Sequence, residues 1–377
     1  MDASRRRTGR EPMGLLVFRG MGPLTIEELR WRGLGVEIRR ILPLKNHELL
    51  AAEVPRISLP ALAKLRTVED VFSLSILECP VRRSADLRAL AEAWPREAFL
   101  RGLALKNQVF GKPLLQPKHT FAVFVKADCD RQVHRKDIAR TLSGVLEPMR
   151  HWHPSDPAEV EVWGFFSGET VTPGVRLTTN DFRIRPTMRR DREGSLRPTI
   201  AAAMAVASRP AAGGTVLDPM CGVGTVLSEY GSLQPDAHLA GFDIDPIAVA
   251  MAKDNLSSMA RDRVALDVAD ATRLPLPDKS VDRVLCNLPF GHLYSTKAQN
   301  QTLYRKLLAE LLRVLKDEGL MVLLTSDSAA FGRSFGESPD LACERVSRVN
   351  VLGIWADLVR CVRRLGTGGP RTPCRGD

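Results

Sequence analysis

The sequence predicts an α/β protein whose C-terminal half is Rossmann-like, preceded by smaller α+β units. Three observations carry this. Between residues 215 and 325, short apolar strands alternate with helix-length segments, which implies a parallel sheet covered by helices. A glycine-rich turn, Asp218-Pro-Met-Cys-Gly-Val-Gly-Thr225, follows the first of those strands and opens a helix. Two late strands, 344–351 and 355–362, have little between them, so one strand of the sheet is expected to be antiparallel.

In chain order, residues 14–19 read as a strand and 24–32 as a helix with Thr25 placed to cap it, stopped by Gly33 and Gly35. Strands at 36–42 and 48–54, joined by a Lys-Asn-His turn, complete an α+β unit that ends near Pro55. A second unit opens with a helix face at Leu62, Leu65 and Val68 and a β-branched, aromatic strand at 71–78. One helix is expected over 84–104, then a strand at 120–126, a basic helix carrying Arg135, Lys136 and Arg140, and strands at 159–166 and 175–178. Residues 183–194 form a basic linker. Pro198 suits the first turn of a helix running to about Ser208. The alternating half then has strands at 215–217, 239–242, 264–268, 281–286 and 320–325, with helices at 225–233, 247–259 and 299–316. The last dozen residues read as a frayed tail.

With 44% apolar and 26% charged residues over 377 positions, the chain can bury several cores and is not a disordered protein. No run of about 18 uncharged apolar residues occurs, so no membrane span is expected. The basic N-terminus lacks the apolar stretch of a secretory signal. Seven scattered cysteines form no zinc-spaced pair, so no metal site is expected, and the cysteines read as reduced, mostly buried thiols of a cytoplasmic protein. The net charge of +10 is uneven: residues 1–197 hold 34 basic against 24 acidic side chains, and residues 198–377 hold 20 of each. That asymmetry suggests a polyanion-binding half joined to a neutral half.

The glycine turn is a ligand site at a sheet edge. A dinucleotide would require a third glycine where Leu227 stands, and Asp218 would repel its phosphates. S-adenosylmethionine, which carries an amine and a sulfonium and no phosphate, suits an acidic turn. Asp243 closes the second strand where a carboxylate can accept both ribose hydroxyls. Asp245, Pro246 and Ile247 are placed to flank adenine, and Asp270 to accept from its amino group; the alternative for Asp245 and Asp270 is capping or loop solvation.

Sixty-nine residues after Asp218 stands Asn287-Leu-Pro-Phe290. An aromatic amine is a poor nucleophile because its lone pair is delocalised into the ring. The Asn287 side-chain oxygen and the Leu288 carbonyl can accept from such an NH₂ and turn its lone pair towards an electrophile. Pro289 holds the backbone, and Phe290 offers a face for an extruded base. Cys286, inside an apolar strand, reads as core and not as a nucleophile.

On these motifs, with Leu65-Arg-Thr-Val-Glu-Asp-Val-Phe72 and Gly194-Ser-Leu-Arg-Pro-Thr-Ile-Ala201, the chain resembles the THUMP-domain RNA guanine-N2 methyltransferases, the tRNA-modifying group especially. The resemblance implies a ferredoxin-like unit over 1–55, a THUMP RNA-binding domain over 56–182, the linker at 183–194, a class I methyltransferase domain over 195–365, and a tail at 366–377. It implies S-adenosylmethionine held by Asp218, Pro219, Cys221, Gly222, Gly224, Thr225, Asp243, Ile244, Asp270, Ala271 and Asn287, with Asn287, Leu288, Pro289 and Phe290 catalytic. The implied substrate is guanine N2 in the tRNA acceptor stem; Leu288 in place of proline tilts the motif from adenine N6 to guanine. The chain is expected to act as a monomer. Some relatives use a small zinc-binding activator protein, and nothing in the sequence says whether this chain does. Ribosomal-RNA guanine-N2 and adenine-N6 methyltransferases, an inactive RNA-binding protein and, remotely, a nicotinamide dehydrogenase are the alternatives.

Overall fold

The computed structural model describes residues 9–75, 78–111, 119–128, 133–148, 152–185, 188–192, 194–210, 212–289, 297–351 and 353–364, with backbone only for 297–300. The chain divides into two compact units, Met1–Arg183 and Ile184–Asp377.

The first unit carries β1 (Arg10–Phe18), α1 (Gly22–Trp31), β2 (Glu37–Pro43), β3 (His47–Pro55), β4 (Asp70–Leu74), β5 (Cys79–Pro80), α2 (Leu87–Ala93) and α3 (Arg96–Phe110). It continues with β6 (His119–Ala127), α4 (Arg135–Leu146), β7 (Trp152–Pro154), β8 (Val160–Ser167) and β9 (Thr170–Arg176). One sheet runs in the order β2-β3-β1-β4-β9-β8-β6-β7, with β5 beside β9. Because β1 pairs with both β3 and β4, the boundary expected near residue 55 falls inside a continuous sheet.

Two local expectations need correction. Thr25 does not cap α1: the helix starts at Gly22 with Pro23 in its first turn, and Thr25 is buried inside it. The single helix expected over 84–104 is two, broken at Trp94-Pro95. Proline has no N–H to continue the ladder and disfavours helical backbone before it, which leaves Trp94 at φ −116°, ψ 76°. Trp94 is buried against Phe99, as packing and not as a binding platform.

The second unit contains α5 (Pro198–Ala207), β10 (Thr215–Asp218), α6 (Thr225–Leu233), β11 (His238–Asp243), α7 (Pro246–Asn255) and β12 (Val264–Val268). β13 (Val281–Asn287), α8 (Lys297–Val314), β14 (Leu315–Thr325), β15 (Leu341–Val351) and β16 (Ile354–Arg363) follow. The sheet order is β12-β11-β10-β13-β14-β16-β15. The strands from β12 to β14 pair in parallel, and β16 is antiparallel to both β14 and β15. From β10 the chain moves first to β11 and later back to β13, so a topological switch point lies at the carboxyl ends of β10 and β13. Two residues before α5 are held within this unit: Arg185 bonds Glu229 at 3.0 Å with both groups buried, and Arg192 bonds Asp245 at 2.8 Å.

The expectation that the cysteines are all thiols is corrected. Cys343 and Cys361 face each other across β15 and β16 and form a disulfide, a proximity set by strand register and hidden by their separation of 18 residues. Cys79, Cys221 and Cys286 are free and buried; Cys129 and Cys374 lie outside the described residues. Among the described residues no helix is long and apolar enough to cross a membrane.

Candidate active site

β10 ends at Asp218, which is buried, and its Oδ1 accepts the Met220 N–H at 3.1 Å. Burial, reinforced by the charge of Asp243, pushes the Asp218 carboxyl up to about 8 against the pull of that N–H. The chain then turns through Gly222 and Gly224, at φ +53° and +84°, into α6. Gly222 faces open space, so its requirement is the left-handed backbone alone. At Gly224 a Cβ would also lie 2.4 Å from Leu256 Cδ1. Pro219, Cys221 and Thr225 are buried in the turn.

Asp243 is stapled to this turn. Its Oδ2 accepts the Gly222 N–H at 2.8 Å and its Oδ1 the Asp245 N–H at 3.0 Å. Each carboxylate oxygen retains one lone-pair direction, a pair of acceptors suited to a diol. Ile244 and Ile247 are 73% and 69% exposed, and Val268, the register partner of Asp243, is 47% exposed. Apolar surface of this size beside a carboxylate suits a planar heterocycle. Asp245 is the N-cap of α7, accepting from Ile247 N at 2.9 Å and bonded to Arg192; these contacts hold its carboxyl low. Its adjacency to the adenine reading is therefore through Ile247, with its own oxygens engaged. Asp270 is exposed, and Oδ1 accepts both the N–H and the hydroxyl of Thr272 at 2.8 Å, the backbone bond foremost in lowering its pKa. The loop-turn alternative thus describes Oδ1. Ala271 is buried in the core beneath.

Asn287 ends β13, on the strand next to β10 and beyond the level of Asp218. Its Oδ1 is buried and accepts no hydrogen bond among the described residues. Such an acceptor costs about 1–3 kcal/mol unless a ligand satisfies it. Leu288 donates its N–H to Leu324 O at 2.9 Å and buries its side chain, which fixes the backbone after Asn287. Phe290 lies outside the described residues.

Two residues that the sequence reading passed over organise the site. Tyr304 of α8 is buried; its hydroxyl donates to Pro289 O at 3.2 Å and lies 3.2 Å from Thr325 Oγ1. Burial pushes Tyr304 up to about 12, so it remains a donor. A tyrosine among the leucines of an inward helix face was the available signal. Asn255, buried at the end of α7, bonds the carbonyl of Val223 in the glycine turn at 2.9 Å; nothing local marks it.

Cys286 and Cys221 have thiols pushed up by burial first and by Asp218 and Asp243 next, so neither is a nucleophile. A cavity of about 570 Å³ lined by Gly213, Gly214, Tyr230, Asp282 and Lys316 lies at the amino ends of the strands, away from these groups. Its Asp282 is already paired with Lys316 at 2.8 Å.

Residues 186–357 match the family model described as RMKL-like, methyltransferase domain. The chain is 32% identical over 232 residues to a tRNA (guanine(6)-N2)-methyltransferase of Thermus thermophilus, covering 59% of this chain and 67% of that protein. The chain belongs to the tRNA guanine-N2 methyltransferase family. A U6 snRNA (guanine-N(2))-methyltransferase of Bos taurus is 38% identical over 133 residues, 35% of this chain. The match spans about a quarter (26%) of that relative's length. The crystal structure of TrmN from Thermus thermophilus has the same fold, with a TM-score of 0.73 at 22% identity over 94% of this chain and 99% of that one. The glycine turn and Asn287 lie at the ends of the adjacent strands β10 and β13.

Proposed function

We propose that this chain transfers a methyl group from S-adenosylmethionine to the exocyclic N2 of a guanine in tRNA, in the acceptor stem. The observation that carries the reading is the buried, unbonded Oδ1 of Asn287 beside a carboxylate-lined glycine turn. The residues present suit the cofactor. Asp218 and Asp243 favour a cation over a phosphate, Asp243 has two acceptor directions for ribose, and exposed Ile244 and Ile247 offer an apolar seat for adenine.

S-adenosylmethionine supplies an electrophilic methyl group on sulfur. Asn287 Oδ1 accepts one hydrogen of the guanine NH₂, and the Leu288 carbonyl accepts the other. Both bonds strengthen as positive charge develops on N2, and they draw its lone pair out of the ring. Tyr304, gripping the Pro289 carbonyl, keeps the two acceptors in place. After transfer the nitrogen releases a proton. The cationic amine product is acidic enough to lose its proton to water.

RNA is held by the THUMP region of residues 56–182. Exposed Arg135, Lys136 and Arg140 on α4 and exposed Arg189 and Arg190 are the phosphate contacts, with Arg131 outside the described residues. The protein works in the cytoplasm as a monomer.

The test is methylation of unmodified tRNA followed by nucleoside mass spectrometry. N2-methylguanosine is expected, and Asn287→Ala should lower kcat at least a hundredfold with tRNA and cofactor affinity nearly unchanged. A product of N6-methyladenosine, or full activity of Asn287→Ala, rejects the assignment.

A further inference from the structure

The hairpin β15–β16 extends past the carboxyl edge of the parallel sheet. Asn287 is level with Leu324, Leu324 with Leu358, and the last pair of β14 is Thr325 with Asp357. Residues 354–356 and their partners 349–351 therefore overhang the edge on which the site stands. At about 3.3 Å per residue, the overhang is about 10 Å long. Its two faces differ. Val349, Val351 and Ala356 are buried and anchor the overhang. The opposite face carries Arg348, Asn350 and Trp355, with Trp355 40% exposed. Arg348 lies over the Trp355 ring at 6.0 Å, and Arg345 stands on the same face.

The charge on this face is only partly neutralised. Arg345 and Arg348 approach one carboxylate, Asp357, at 3.8 and 3.7 Å, too far for hydrogen bonds, and among the described residues Asp357 Oδ1 accepts none. The other Asp357 oxygen takes the hydroxyl of Ser328. Glu344 is already paired with Arg360 at 3.0 Å. Two guanidinium groups against one shared carboxylate leave an unspent positive charge beside an indole. The face is also continuous with the catalytic loop. Thr325, opposite Asp357, meets Tyr304, which holds Pro289.

We propose that this overhang is an RNA-binding finger: Trp355 stacks a base next to the target guanine, and Arg348 with Arg345 takes the adjoining phosphates. The proposal rests on the activity proposed above. It makes residues 198–377, neutral in total, locally basic where the substrate strand must pass. An indole with cations around it suits single-stranded nucleic acid, because every base has a stacking face while the phosphates supply charge. An extruded guanine leaves its neighbour unstacked on one side, and Trp355 fills that gap.

The test uses the full chain and unmodified tRNA. Trp355→Ala should weaken tRNA binding about tenfold and raise KM for tRNA in proportion, while Trp355→Phe restores most of the loss. Arg348→Ala should reduce the salt slope of binding by about 0.7–0.9. S-adenosylhomocysteine affinity should stay at the wild-type value in all three, which separates lost RNA contact from misfolding. As a second measurement, ultraviolet cross-linking of the wild-type protein should attach tRNA to the peptide containing Trp355. Wild-type tRNA affinity and salt slope in both alanine variants, or cross-links confined to residues before 184, overturn the finger while leaving the methyltransferase reading intact. If the wild-type protein neither binds nor methylates tRNA, that reading fails and the finger fails with it.

Discussion

Asn255 holds the glycine turn by the carbonyl of Val223, its Nδ2 donating at 2.9 Å from a side chain that is 1% exposed. The same amide donates to Arg190 O at 2.9 Å, and Oδ1 accepts the Arg190 N–H at 2.7 Å. One buried side chain thus bonds both the turn between β10 and α6 and the segment that precedes α5.

Asn255→Leu strands a buried carbonyl and a backbone N–H, so it should cost about 2–4 kcal/mol of stability. Asn255→Asp keeps the acceptor for Arg190 but sets an oxygen against the Val223 carbonyl. Calorimetric titration should show S-adenosylhomocysteine affinity reduced at least tenfold in Asn255→Asp. Unchanged affinity in a folded Asn255→Asp protein would show that the turn keeps its shape without this bond.

The two glycines of the turn should respond differently. Gly222→Ala meets only left-handed backbone strain, about 1–2 kcal/mol. Gly224→Ala adds a clash with Leu256 and should cost about 2–5 kcal/mol in all. Thermal unfolding of both variants checks the order, and equal losses would refute the packing argument.

Asp218 gives the site a pH dependence. Its carboxyl, pushed up to about 8 by burial and Asp243, is protonated in the ligand-free protein below that pH. A cationic ligand favours the carboxylate, so binding expels a proton and affinity rises with pH between 6 and 8, by at most about tenfold per unit. Calorimetry in buffers of different ionisation enthalpy should report proton release that Asp218→Asn abolishes. A pH-independent affinity without proton release contradicts the assignment.

Tyr304→Phe removes the hydroxyl that holds Pro289 and should lower kcat about tenfold while KM for both substrates moves little. The loss of stability should be about 1 kcal/mol. A variant with wild-type kcat would free the Asn287–Pro289 backbone from any need of this brace.

The site was legible where chemistry follows the chain closely. The left-handed glycines, the acidic strand ends and the strand-end asparagine announce themselves because a turn, a strand and a helix start occupy neighbouring residues. Pro95 also carried the break between α2 and α3 in plain view, since its missing N–H acts locally. What the sequence by itself determined about this protein is therefore the alternating sheet, the position of the acidic glycine turn and the asparagine that ends the third strand after it. Only the tertiary structure decided which distant groups meet. Asn255 reaches Val223 from 32 positions away, Tyr304 reaches Pro289 from 15, Arg185 reaches Glu229 from 44, and Cys343 meets Cys361 by register. A buried amide, hydroxyl or guanidinium bonds whatever backbone or carboxylate packing brings within about 3 Å, and no periodicity along the chain encodes that partner. The projection of the hairpin past the sheet edge is of the same kind, because strand register is settled by two strands together and by neither alone.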